Sequence, residues 1–395
     1  MTIALLPFQE QIHAAITHKQ VLAIRGMGSK DFLGPPCPQA RVLDTRALNG
    51  IISHEPSELV ITAYAGTPLS EIEQALAAHG QCLPFDAPHY EGQAGTLGGL
   101  VAAGMAGPAR VAVGGVRDHV LGLAMFNGLG QHLRFGGQVM KNVAGYDVSR
   151  LMAGSMGTLG LITEVSLKVL PMAVAEATLM FAMPQEPALD ILQRWAGQPL
   201  PMNASCWVHD DTAAQPQGYL FVRLRGAQAA VRSAQAKMLA DVHALGHAGQ
   251  AMDTAEAAAD WRDCANQTLP FFRQPPSPEH ALWRLSLPTT TPALDWPTSP
   301  LIEWHGALRW VWATARQSGL LRELAHGLGG HATLWRVSPA HGLADFQAGF
   351  QSPASPTLQA IGQRLQAQFD PHGVFRTGRL LPPHAPMAMS ANAEH

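Results

Sequence analysis

The residues best suited to chemistry in this chain are ones with no side chain. Arg25-Gly26-Met27-Gly28-Ser29-Lys30 follows the apolar run Val21–Ile24, and glycine then recurs through residues 92–171. Over the first part of that stretch, Gly92 to Ala109, there is no charged residue. Glycine admits positive φ and lets main chain approach a ligand without a Cβ in the way. A turn rich in it presents free N–H groups that suit phosphate oxygens, and the Ser29 hydroxyl adds a donor. The same turn is also compatible with an ordinary strand-to-loop connection. Glycine loops backed by a strand over Leu159–Val169 fit a large polar ligand with a pyrophosphate bridge, such as a dinucleotide.

Two other readings of the stretch do less well. A membrane helix would exploit Gly95-x-x-x-Gly99, but the run is too rich in glycine and stops at Pro108 and Arg110. A nicotinamide-type fingerprint needs G-x-G-x-x-G between a strand and a helix. No segment has that spacing, and Gly154-x-x-Gly157-x-x-Gly160 precedes a strand instead.

The elements that must position these loops are short. Phe8, Ile12, Ala15 and Ile16 mark one face of a helix over residues 8–18. Arg41–Asp44, Gly50–Ser53 and Leu59–Tyr64 are of strand length. Thr67-Pro68 opens a helix, with Thr67 as its cap, Leu69, Ile72 and Leu76 on its buried face and Gly80 as its stop. Asp86 reads as a turn residue before Pro88. Past Pro171 the texture changes, with a strand over Gly218–Leu224 and a helix over Ala227–Leu245 whose stripe is Val231, Ala234, Met238 and Val242. Proline excludes regular structure from Pro270–Pro278 and Pro288–Pro300. The expected organisation is a first domain over 1–171 (subdomains about 1–55 and 56–171), a second over 172–381, and a disordered tail over 382–395.

The 395 residues suffice for two cores. Charged residues are 14%, against about 25% in ordinary domains, which fits a surface partly covered by a partner and equally a compositional bias toward Ala and Gln. A net charge of −3 without a basic block argues against nucleic acid. The N-terminus lacks a basic n-region, and no segment reads as a membrane span, so a cytoplasmic protein is expected. Cys37, Cys82, Cys206 and Cys264 form no C-x-x-C pair, so no metal or iron–sulfur site is expected within this chain.

Four blocks together carry a family resemblance. They are Gly95-Thr96-Leu97-Gly98-Gly99, Gly115–Gly122 with Arg117 and Asp118, Lys141-Asn142-Val143-Ala144-Gly145-Tyr146-Asp147, and Gly154–Val165 with Gly157, Gly160, Leu161 and Ile162. In this order the stretch resembles the flavin-binding domain of the vanillyl-alcohol-oxidase (PCMH) type. The third block is most similar to the flavoprotein subunits of bacterial glycolate oxidase, and the length to the smaller of them, the E subunit. The resemblance implies an α+β fold with a PCMH-type FAD-binding domain and a smaller cap-like domain. It implies FAD held by residues 25–30, Pro84, residues 95–99, Arg117, Asp118, Gly157, Gly160, Leu161, Ile162 and Arg379. Arg379 ends the block Phe369-Asp370-Pro371-His372-Gly373-Val374-Phe375-Arg376-Thr377-Gly378-Arg379, where the family's chain returns to the flavin. Arg376-Thr377 stands where the family has Asn-Pro. No block places a His or Cys for covalent attachment, so non-covalent FAD is expected.

Oxidation of a 2-hydroxy acid by a flavin requires a base for the hydroxyl proton and a cation for the carboxylate. His305, Arg309, His331 and Arg336 are of the right types and lie in segments similar to the E subunit. The resemblance further implies a larger FAD-binding subunit and an iron–sulfur subunit as partners, with electrons passed from glycolate through the flavin. Alternatives are a self-sufficient FAD-dependent 2-hydroxy-acid dehydrogenase and a non-catalytic scaffold subunit.

Overall fold

A computed structural model of the protein describes residues 3–92, 95–137, 147–211, 217–338, 340 and 355–380. Helix α1 (Leu6–Thr17) buries Phe8, Ile12 and Ala15 against strand β1 (Leu22–Arg25), which pairs in parallel with β2 (Arg41–Asp44). Strands β3 (Ile51–Glu55) and β4 (Val60–Tyr64) follow, then α2 (Leu69–Ala77) and the short β5 (Gln81–Cys82). Next come α3 (Leu97–Ala103), α4 (Arg110–Val113), α5 (Val116–His119), β6 (Val120–Phe126), β7 (His132–Gly136), α6 (Val148–Leu151), β8 (Leu161–Lys168) and β9 (Leu170–Pro171). Five of these strands form an antiparallel sheet in the order β3-β4-β8-β6-β7, and β5 pairs with β9. Strand β8 is buried along both faces: Leu161 joins the α1 cluster, whereas Ile162, Val165 and Leu167 join the cluster with α2 and α3. It is therefore apolar in near-continuous runs rather than strictly alternating.

The start of α2 departs from the expectation. Thr67 does not cap α2. Its hydroxyl accepts from Gly50 N at 3.0 Å and donates to Gly50 O at 3.1 Å, and Pro68 takes the cap position. Buried backbone groups need partners, and Gly50 has priority over the helix end.

The rest of the chain builds a larger sheet. Its elements are β10 (Ala175–Ala182), α7 (Gln185–Ala196), β11 (Met202–Asp210), β12 (Gln217–Gly226), α8 (Gln228–Ala244), β13 (Ala248–Ala251), α9 (Thr254–Asn266) and α10 (Pro270–Arg273). Then follow β14 (His280–Ser286), β15 (Leu301–Glu303), β16 (Leu308–Thr314), α11 (Ser318–Gly327), β17 (His331–Arg336) and α12 (Pro356–Phe369). The eight strands run β13-β10-β12-β11-β15-β16-β14-β17, antiparallel throughout. Helices α7 and α8 cover one half of one face, burying Trp195 and Met238. Helix α11 covers the other half through Leu321 and Ala325. The opposite face, with Cys206, Leu301, Trp310 and Trp335, shares a core with Phe85, Leu100 and Val101. Helix α10 interrupts the Pro270–Pro278 passage expected to lack regular structure; Pro270 is its first residue, where a missing N–H costs nothing. Among the described residues no helix is long and apolar enough to cross a membrane.

The two parts are also joined by charge. Asp86, held at φ +48, takes Arg223 Nη2 at 2.5 Å and Arg225 Nη1 at 3.4 Å from β12, while accepting from Ala109 N at 3.0 Å.

Candidate functional site

The turn after β1 forms one wall of a cleft. Among the described residues, none of the backbone N–H groups of Gly26, Met27, Gly28, Ser29 or Lys30 has a hydrogen-bond partner. Five free donors in one turn, at the end of a strand, make an anion cradle of the nest type. Close approach explains the glycines. A Cβ on Gly26 would come within 2.5 Å of Thr96 Oγ1 and 2.8 Å of Thr96 Cγ2, and Gly28 sits at φ +78. Ser29 is buried and receives Lys30 Nζ at 3.3 Å; burial pulls the Lys30 ammonium down to about 8.

The facing wall comes from α3 and the loop before β8. Thr96 is buried and its Oγ1 accepts from Gly99 N at 3.2 Å, capping α3. Gly98, Gly99, Gly157, Gly160 and Ile162 line the cleft together with Arg25 and Met27. Arg25 also holds Asp31 at 2.5 Å. The closing block returns here: Leu22 N donates to Val374 O at 2.7 Å, Asp370 accepts from Val374 N and Phe375 N at 2.8 Å each, and Arg379 reaches the cleft. Burial lowers the Arg379 pKa, with Asp31 opposing that shift. A dinucleotide diphosphate fits this donor set: unpartnered N–H groups, a hydroxyl, Lys30 and Arg379.

The remaining expected cofactor residues do not line the cleft itself. Gly95 abuts Lys30, where an added Cβ would meet Nζ at 2.9 Å. Leu97 is core, Pro84 is buried, and Leu161 points away from Ile162 into the α1 cluster. Arg117 and Asp118 are exposed on α5, where Asp118 accepts from Gly115 N at 2.8 Å, and they line a separate recess. Lys141 to Tyr146 lie outside the described residues, and Asp147 caps α6 by accepting from Arg150 N at 3.2 Å.

A second cavity of about 390 Å³ adjoins the cleft, sharing Ala103 and Met156 with it. Its floor is one face of the large sheet. Register places Arg284 opposite both Trp310 and Thr333, Ser286 opposite Leu308 and His331, and Glu303 opposite Leu308. Opposed residues share a face, and all of these line the cavity. The Arg284 guanidinium lies 5.1, 6.0 and 5.8 Å from the ring centroids of Trp304, Trp310 and Trp335 and donates to Ser286 Oγ at 3.2 Å. Burial, then the nearby Arg110, pulls it down to about 10. Arg110 stands over Trp304 at 4.5 Å. Among the described residues neither guanidinium has an ion-pair partner. Trp304 and His305 both have φ +54, a strained pair beside the cavity. Trp304 is fixed by Nε1 donating to Gly107 O at 3.0 Å.

The four expected catalytic residues do not come together. His331 lines the cavity, and burial lowers its pKa. Arg309, one residue from Trp310, projects from the other face and donates to the carbonyls of Gly306, Pro292 and Thr291. His305 turns away with the strained backbone, its Nδ1 2.8 Å from Ser205 Oγ, and burial takes it down to about 4. Arg336 lies over the Phe32 ring at 3.8 Å. Tyr90, Arg110, Arg284 and Glu303 were not anticipated; the recurrence of Trp-Arg and Arg-Trp pairs in the strands was the available signal.

The glycine turn, the cleft and the antiparallel sheet behind them define an FAD-binding oxidoreductase fold of the PCMH type. A family described as FAD binding domain matches residues 8–136. A solved alkyldihydroxyacetonephosphate synthase superposes with a TM-score of 0.64 at 15% identity, covering 93% of this chain and 74% of that one, a likeness of fold. Glycolate oxidase subunit GlcD of Bacillus subtilis (strain 168) is 32% identical over 165 residues, 41% of this chain and 34% of that protein. Glycolate oxidase subunit GlcE of Escherichia coli (strain K12) is 44% identical over 371 residues, 94% of this chain and 95% of that protein. The chain belongs to the family of this glycolate oxidase subunit, and FAD is its cofactor.

Proposed function

We propose that this chain is the smaller FAD-binding subunit of a glycolate oxidase (glycolate dehydrogenase) complex. The observation that carries the reading is the run of unpartnered N–H groups over Gly26–Lys30, set in a chain similar over 94% of its length to a glycolate oxidase subunit. The turn, Ser29, Lys30 and Arg379 hold the diphosphate of a non-covalently bound FAD. Once bound, FAD supplies the two-electron acceptor chemistry that no amino-acid side chain offers.

The cavity beside the cleft is the place for a small 2-hydroxy acid. Arg284 and Arg110 offer a carboxylate the counter-charge they lack, and guanidinium–carboxylate pairs are strong when partly dry. The tryptophans around Arg284 restrict its rotation and exclude water. Electrons then leave through partners, a larger flavoprotein subunit and an iron–sulfur subunit, and membrane association, if present, comes through them. Glycolate should bleach the flavin of the purified, FAD-loaded chain and oxamate should compete. Affinity purification from the native host should recover both partners. A yellow chain that purifies alone, and turns over glycolate with a dye acceptor, would favour the self-sufficient dehydrogenase.

A further inference from the structure

The cavity floor holds a carboxyl group that the diphosphate cradle and the carboxylate seat leave unused. Glu303 lies at the end of β15, buried, with its register partners Cys206 and Leu308 on the cavity face. Trp310 Nε1 donates to Oε2 at 2.7 Å and Cys264 Sγ to Oε1 at 3.4 Å. These two donors fix the carboxyl plane and leave each oxygen a free lone pair. Among the described residues no cation is ion-paired to it. A buried carboxyl with no salt bridge is expensive as structure alone, and among the described residues it shares a cavity with two cations that also lack an ion-pair partner. We infer that Glu303 is the proton acceptor for the substrate hydroxyl, with the substrate carboxylate held at Arg284 and Arg110 in the same cavity. The inference rests on the proposed oxidation of a 2-hydroxy acid and names the base for it.

The step balances. The O–H proton of the substrate goes to a Glu303 oxygen, and the C–H hydrogen leaves with its electron pair to oxidised FAD. The carbon becomes the keto or aldehyde carbon of a 2-oxo acid, and Glu303 later releases the proton to solvent through the cavity. His331, the cavity's other candidate base, stands opposite Ser286 near the sheet edge strand β17 and carries none of the fixed hydrogen bonds that orient Glu303. The groups that set the charge of Glu303 come from several elements. Arg284 on β14, Cys264 on α9 and Asp86 beside the joint between the sheets act on it directly; Cys206 on β11 acts on Cys264, Arg110 acts on Arg284, and the Tyr90 phenol responds to the Glu303 charge. Burial is the largest influence and raises the carboxyl to about 7, outweighing the hydrogen bonds from Trp310 and Cys264 and the pull of Arg284. A base poised near neutrality suits this task.

The test uses the full FAD-loaded chain and three readouts. Glycolate and oxamate binding is followed by fluorescence of the cavity tryptophans, flavin reduction by single-turnover absorbance, and the protonation of Glu303 by a pH titration of tryptophan emission without substrate. Glu303→Gln keeps the shape and should bind oxamate within about 3-fold of wild type while flavin reduction slows about 10²-fold or more, the usual worth of a positioned base. The wild-type reduction rate should rise with pH through the same inflection as the emission, and both inflections should vanish in Glu303→Gln. Glu303→Asp should recover part of the rate. Reduction within about 3-fold of wild type in Glu303→Gln, or equal loss of oxamate binding and reduction, overturns the inference. If wild type binds FAD but glycolate never reduces it, the base assignment fails while an electron-carrying subunit survives; if wild type refuses FAD, the functional reading itself fails.

Discussion

Gly26→Ala probes the cradle where its geometry is tightest. The new Cβ would stand 2.5 Å from Thr96 Oγ1 and 2.8 Å from Thr96 Cγ2, so either Thr96 or the turn must yield. Thr96 cannot yield freely, because Oγ1 caps α3 through Gly99 N; losing a cap costs about 1 kcal/mol, and overpacking typically about 1–3 kcal/mol. If the turn moves instead, at least one N–H loses its line to phosphate. A hydrogen bond to a charged group is worth about 1.5–3 kcal/mol, so FAD affinity should fall about 10- to 150-fold. The assay is titration of the deflavinated chain with FAD, read by quenching of flavin fluorescence, beside thermal unfolding by circular dichroism. Gly319→Ala, where an added Cβ on α11 meets nothing within 4 Å, serves as the control and should leave affinity unchanged. Unaltered FAD affinity in Gly26→Ala, with unaltered stability, would refute the claim that the bare main chain of this turn contacts the diphosphate.

Further outcomes follow from the joints and the buried titratable groups. Asp86→Asn leaves Arg223, almost fully buried, without its carboxylate, and urea unfolding should show a loss of about 3–5 kcal/mol. His305 is depressed to about 4 by burial; its neutral form is the folded one, so stability should fall as pH drops from about 6.5 toward 4, by at most about 3 kcal/mol. His305→Gln should flatten that acid limb in urea melts at successive pH values. Glu303 shifts the other way, to about 7, so its contribution should decline as pH rises from about 4.5 to 7, and Glu303→Gln should be the more stable protein above pH 7. Arg284→Met should abolish glycolate quenching of the cavity tryptophans while leaving FAD affinity intact, measured by the same titrations.

The sequence disclosed the cradle because its parts are local. Gly26, Gly28 and Ser29 are neighbours in the chain, and the need for bare main chain is written in the residues themselves. The helix stripes of α1, α2 and α8 were equally legible, since their periodicity is a property of contiguous residues. The second cavity was not, because Arg284, Glu303, Trp310 and His331 meet only through strand register. Arg309 shows the difficulty: it adjoins Trp310 in sequence, yet the period-two alternation of β16 sends its side chain to the opposite face, onto carbonyls of the Pro288–Pro300 loop. His305 is displaced for another reason, the left-handed backbone at Trp304 and His305. Asp86, read as a turn residue, proved also to join the two sheets through Arg223 and Arg225, partners more than a hundred residues away.

Whether the free amides of residues 26–30 hold a diphosphate is settled most directly by the flavin content of the purified full-length chain. The expected result is one FAD per chain, absorbing near roughly 450 nm, released by acid and restored on adding FAD to the folded apoprotein. A folded chain that is colourless and takes up no FAD would contradict it.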